Sequence, residues 1–444
     1  MLKEVRLRYF VLCCFCWLVI AMPLAGQVEN KTNDSLPDYF DENFIRFDNY
    51  IYNESIHSVQ IYKSDDVLSL PVIGLNSSDK LLLSFDDLAN ESKDYYYRII
   101  HCTSDWEDSR LSYYDYIDGF EENQISDFRF SFNTFRNYCH YDLLLPNKDV
   151  QFKVSGNYLI KVYGPGSEDL PVFTHRFMLF EPLVYIDAIA KRSTILDEMN
   201  SHQEIDFSIK SQITINDPYR ELKVVLMQNG RRDNCIDKLQ PKFIRNNELL
   251  YDLESENSFA GGNEFRFFNC KDVEFKSQGI DIIRYEKPWF YFDLEKDQRR
   301  RFKVYFFGED INGKYKIDMA DAYETEIEAD YVYVKFSLAY DAPVVNGDIY
   351  VFGALTAWGF NKNNKMKYNF DDKCYELTML LKQGYYNYCY AFLKDGQQAA
   401  NTGYIEGNHY ETENDYQIFV YLKENSSRYE KLIGFSSVNS LRKL

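Results

Sequence analysis

The sequence predicts an all-β protein made of three consecutive antiparallel β-sandwich domains, immunoglobulin-like or early-set in kind. Three observations carry that expectation. Aromatic residues make up 17% of the 444-residue chain, with 38 Tyr and 34 Phe, and such side chains favour pleated, half-buried surfaces. From about residue 58 onward, short runs of β-formers alternate with clusters of Gly, Pro, Asn, Asp and Ser, the rhythm of a sandwich. The length exceeds one small core and suits several domains of roughly 100–200 residues each.

Residues 1–26 read as a cleaved export signal. Lys3, Arg6 and Arg8 precede an uncharged apolar run, and the small residues Ala25 and Gly26 offer a cleavage point before Gln27. A membrane anchor is the alternative, but the run is shorter than the about 20 residues a span needs. Leu24-Ala25-Gly26 resembles a lipoprotein box, yet Gln27 stands where that box requires Cys. Residues 27–56 are polar and rich in Asn and Asp, and read as a flexible lead-in.

The first domain is expected over residues 57–182. Its strands are SVQIY, LLLSF, YYYRIIH, YCHYDLLL, NYLIKVY and FTHRFMLF, and its densest stretch is Tyr95–Pro146. A second domain, 183–330, contains VYIDAIA, EIDFSIK, LKVVLMQ, EFRFF, IDIIRY, WFYFD and RFKVYFF. Asn229-Gly230 is its strongest hairpin signal. Gly261-Gly262 precedes a strand and not a helix, so a tight turn fits better there than a phosphate loop. The third domain is expected over 331–434, with 435–444 as a tail.

The third domain resembles the early-set sandwiches typified by glycogen-binding modules, through Gly353, Trp358, Met366, Leu381, Gly384, Tyr386, Tyr388 and Asp395-Gly396. That resemblance implies a sugar-stacking role for Trp358. The second stacking aromatic of those modules is replaced by Gln397-Gln398-Ala399. A sandwich that keeps Trp358 for packing is the competing reading.

Charge and motif content exclude several function classes. A net charge of −19 opposes nucleic acid, whose phosphates call for Lys and Arg. The six His stand at 57, 101, 140, 175, 202 and 409, without metalloprotease spacing, and no nucleophile elbow or P-loop occurs. His101, Cys102 and Asp105 do not make a metal cluster, because strand alternation sends His101 and Cys102 to opposite faces. The acidic residues Asp105, Glu107, Asp108, Asp115 and Asp118 read as a solvated loop in preference to a Ca²⁺ site. A non-enzyme without cofactor or metal is expected.

Six Cys lie beyond the signal: Cys102, Cys139, Cys235, Cys270, Cys374 and Cys389. Two fall in each expected domain, which in an oxidising compartment suggests one local disulfide apiece; six free thiols are the alternative. A hairpin turning at Lys382-Gln383 would set Cys374 and Cys389 diagonally on one face, at the margin of disulfide geometry.

The chain from about residue 57 resembles, in ordered blocks, the plug proteins of the Bacteroidota type IX secretion system. The blocks include LLLSFDDL (81–88), YYYRIIHCTSDW (95–106), YIDGF (116–120), SFNT (131–134) and YCHYDLLLPN (138–147). SGNYLIKVY (155–163), QEIDFSIK (203–210), LKVVLMQNGRRDN (222–234), GGNEFRFF (261–268) and LLKQGYYNYCY (380–390) continue the series. EGNHYETENDYQIFVY (406–421) and RYEKLIG (428–434) complete it. Arg232 departs from the pattern, where an aromatic is expected. The resemblance implies a soluble, non-catalytic periplasmic subunit that occludes the periplasmic mouth of a giant outer-membrane translocon barrel when no cargo passes. Because Tyr and Trp suit protein interfaces, Trp106, Tyr113, Tyr114, Tyr116 and Phe120 are the candidate barrel contacts. Local core filling is the alternative for each.

Overall fold

The computed structural model describes residues 46–441, apart from 90 and 246. The expected signal, and the lead-in as far as residue 45, lie outside the described residues. From Arg46 the lead-in is tied down: its guanidinium lies 3.9 Å over the Tyr50 ring, and Tyr50–Ile51 pairs with the strand Pro171–Phe180.

Residues Tyr50–Phe180 form a sandwich of a six-stranded and a four-stranded sheet. The alternation in Tyr95–Cys102 turns Tyr95, Tyr97 and Ile99 into the core. There Phe85 stacks on Tyr141 at 4.9 Å and meets Phe173 edge-on at 4.9 Å. Gly156–Tyr163 is buried along its whole length. Its Tyr158, Ile160 and Val162 face this core, while Leu159 faces a second apolar cluster shared with the next body.

The middle body is assembled from two distant pieces. Its first sheet uses strands between Val184 and Ala260, and its second joins Leu222–Gln228 and Arg231–Ile236 to Asp415–Leu422 and Lys431–Asn439. The hairpin at Asn229-Gly230 is present, with φ of 54° and 76° at the two turn residues, the positive values a tight hairpin needs. The expected boundary at 330/331 is therefore corrected. The last two strands do not belong with the third domain, because Leu222–Gln228 takes Asp415–Leu422 as its partner, from Leu222 opposite Leu422 to Gln228 opposite Tyr416.

A third sandwich is inserted between these pieces. Arg266–Asn269, Ile280–Glu286 and Trp289–Leu294, expected in the second domain, belong to its sheets. Gly261 marks the approach to it. A Cβ there would lie 2.0 Å from the His409 carbonyl oxygen, so close backbone passage excludes any side chain. The sandwiches are thus three but not consecutive. Among the described residues, two strand-to-strand pairings are parallel: Val72–Gly74 with Pro171–Phe180, and Trp289–Leu294 with Tyr331–Ala339.

The expected disulfides are also corrected. Cys102, Cys139, Cys235, Cys270, Cys374 and Cys389 are all free thiols. Cys102 faces the shared cluster and Cys139 the first core. No hairpin joins Cys374 to Cys389, since Cys374–Lys382 and Gly384–Lys394 lie in different sheets.

Candidate interface

The five candidate contacts of the Tyr95–Pro146 stretch part company in three dimensions. Trp106 is 3% exposed and lies at the seam between the first and middle bodies. The Arg176 guanidinium stands 4.4 Å from its ring centroid and that of Arg232 stands 5.4 Å away. The departure at position 232 therefore supplies a cation–π partner from across the seam. Tyr113 and Tyr116, in the single turn Tyr113–Tyr116, are buried in the first core, and the Tyr116 hydroxyl donates to the Ile99 carbonyl at 3.0 Å. Tyr114 and Phe120 are 66% and 73% exposed. Those two are surface groups and the other three are packing.

The acidic residues of the same stretch do not converge. Asp105 pairs with Lys223, Asp115 receives the Ser112 amide at 3.2 Å and faces Arg428 at 3.5 Å, and Asp108 receives the Arg110 amide at 2.7 Å. His101 and Cys102 are both buried; burial lowers the imidazole to about 4 and raises the thiol to about 12. The His101 ring meets Tyr158, a first-core residue, while Cys102 belongs to the shared cluster.

Sequence reasoning missed a larger aromatic band. Phe128, Phe130, Phe132 and Phe135 are all exposed. Asp127–Phe130 is the last strand of its sheet, and its Phe128 lies beside core residue Tyr141 at 5.8 Å. Phe135 continues the band onto the inserted body, against Phe290 at 5.1 Å and Tyr285 at 5.8 Å. The signal was the alternation of Phe128, Phe130 and Phe132 with polar residues; Phe135 falls out of that phase.

Charge secures the seam between the first and inserted bodies. Lys382, buried, reaches Asp86 at 2.6 Å, and the Tyr331 hydroxyl donates to the same carboxylate at 2.6 Å. His140 contacts Asp86 at 2.6 Å and Asp142 at 3.2 Å. Burial disfavours ionised Asp86, but Lys382 and His140 outweigh it and hold its pKa below the usual range. Burial likewise opposes His140 protonation, and the two carboxylates overcome it.

Two further candidates are accounted for by packing and pairing. Trp358 is held edge-to-face by Phe352 at 5.2 Å and Phe265 at 6.0 Å. A Cβ on Gly313 would lie 2.4 Å from its ring. Among the described residues, Glu204, Asp206 and Asp252 form a carboxylate cluster of metal-binding size. The Lys191 ammonium lies within it, 3.3 Å from Glu204 and paired with Asp206. No helix among the described residues is long and apolar enough to cross a membrane.

Fold and surface together define a class: an all-β protein of fused sandwiches, closed by buried charge at its seams and bearing exposed aromatics on its first body. The chain belongs to the type 9 secretion system plug protein family, residues 56–181 matching the plug protein first domain. It is also similar to a hypothetical protein from Parabacteroides merdae ATCC 43184 known from a crystal structure. That protein is 37% identical, with a TM-score of 0.87, over 89% of this chain and 100% of its own. No curated protein matches the chain.

Proposed function

We propose that this chain is a periplasmic, non-catalytic plug that binds and occludes the periplasmic mouth of the outer-membrane translocon barrel when no cargo passes. The observation that carries the reading is the family match over residues 56–181. Exposed aromatics on that same matched portion, Tyr114 and Phe120 among them, support contact with a protein partner, because aromatic anchors dominate such interfaces.

The test is affinity capture of the tagged chain from detergent-solubilised outer membranes, with identification of what it retains. A very large β-barrel is expected. Tyr114→Ala combined with Phe120→Ala should abolish its recovery while leaving stability within about 0.5 kcal/mol, as for exposed positions. Trp106→Ala serves as the contrast and should cost about 3–5 kcal/mol, the scale of a buried aromatic deletion. Capture without any large barrel sinks the plug reading. Capture that survives the double substitution removes Tyr114 and Phe120 from the contact.

A further inference from the structure

The inserted body carries a cavity of about 320 Å³ whose lining is basic, in a chain whose net charge is −19. Arg299, Arg301, Lys303 and Lys373 surround it, and the lining holds one carboxylate, Asp341. Asp341 is almost fully exposed and lies 3.7 Å from Arg299. Among the described residues, no carboxylate lies within ion-pair reach of Arg301, Lys303 or Lys373.

The geometry of the wall is built by buried neighbours. Arg300 turns away from the cavity to Glu406 at 2.7 Å and to the Glu264 carbonyl at 2.7 Å. The amides of Arg300 and Arg301 both donate to the Ile405 carbonyl, at 2.9 and 3.0 Å. With the middle arginine taken inward, Arg299 and Arg301 on either side line the cavity. On the facing wall, the Tyr340 amide donates to the Lys373 carbonyl at 3.0 Å, which ties together the two chain segments that carry them. Aromatic faces hold the guanidiniums: Arg299 lies 4.5 Å from the Tyr340 centroid, and Arg301 lies 5.3 Å from Phe302 and 5.5 Å from Tyr404.

Four cations against one exposed carboxylate leave the lining net positive. Planar guanidinium forks match the paired oxygens of phosphate and carboxylate, and the volume falls in the range of small-molecule sites. We propose that this cavity binds a compact polyanion, a small molecule bearing phosphate or several carboxylates. The inference is independent of the plug reading, since it concerns a different body and needs no barrel.

The test is calorimetric titration of the full chain with pyrophosphate and, separately, with citrate. Saturable binding at one site per chain is expected from at least one of them, and the tighter probe identifies the phosphate or carboxylate source. Arg301→Gln with Lys373→Gln should weaken that binding by roughly tenfold or more, since charge-assisted contacts are the strong ones. Lys276→Gln, at an exposed lysine outside the lining, should leave it unchanged. Absence of saturable binding by both probes overturns the proposal, as does equal binding by the double variant.

Discussion

At Glu406 a carboxylate whose side chain is 1% exposed takes Arg266 at 2.9 Å and Arg300 at 2.7 Å. Burial pushes its pKa up, but the Arg266 and Arg300 guanidiniums outweigh that and hold it down to about 2, against an ordinary 4.5. A depressed carboxylate contributes stability above its unfolded pKa and loses it as pH falls through the folded value. Glu406→Gln should therefore destabilise the protein by about 3–5 kcal/mol at pH 7, the scale of breaking a buried pair. That difference should shrink as pH falls from 4.5 towards 2, as measured by urea denaturation across that window. A deficit that stays constant down to pH 2 would mean that lost packing, and not lost charge, is responsible. No local pattern marks Glu406 among 69 acids, because what distinguishes it is the arginines that reach it from residues 266 and 300. For the aromatic candidates the reverse holds. Composition identified them as strand and interface material, but which rings point outward depended on what packs over each face, and three of the five are covered.

Strands such as Tyr95–Cys102, Gly156–Tyr163 and Leu222–Gln228 were legible from alternation and turn residues alone. RFKVYFF at 301–307 carries the same composition and joins no sheet. Its Phe302, Val304 and Phe306 are more than four-fifths exposed. Tyr305 anchors the segment through its hydroxyl, bonded to the Glu264 carboxylate and, at 3.1 Å, to the Glu411 carbonyl. Propensity supplies a chain that fits a pleat, whereas a strand's hydrogen bonds come from a neighbour, and among the described residues no strand pairs with this segment. Hydrogen exchange should show this directly. The amides of residues 304–307 should exchange close to the unprotected rate while those of Gly384–Lys394 are protected. Comparable protection in both would mean that the segment pairs with something in solution. Exposed apolar residues on unpaired backbone are also the form in which a chain accepts an added strand.

The three sandwiches act as one molecule through their seams. Lys382, from the inserted body, ends on Asp86 of the first, with Tyr331 and His140 completing the site. Removing one partner leaves a buried charge uncompensated, which costs about 3–5 kcal/mol, while removing both can be nearly neutral. Lys382→Met alone should be strongly destabilising in chemical denaturation, and Asp86→Asn added to it should recover much of the loss. Strict additivity of the two substitutions would show that the residues do not interact.

Composition, turn chemistry and alternation specify the all-β class, most of the strands and the Asn229-Gly230 hairpin, since each depends on residues within a few positions of one another; the family resemblance rests instead on whole blocks of sequence in order. Local patterns also made the third domain look contiguous with the chain's end. The insertion of one sandwich inside another, the burial of Trp106, the free thiols and the basic cavity came only with the tertiary structure. The insertion, the setting of Trp106 and the ion pair of Glu406 each depend on a partner far away in sequence: Leu222–Gln228 on Asp415–Leu422, Trp106 on Arg232, Glu406 on Arg266. A strand presents the same edge to any complementary neighbour, and which neighbour it takes is set by how the whole set of apolar faces is covered at once.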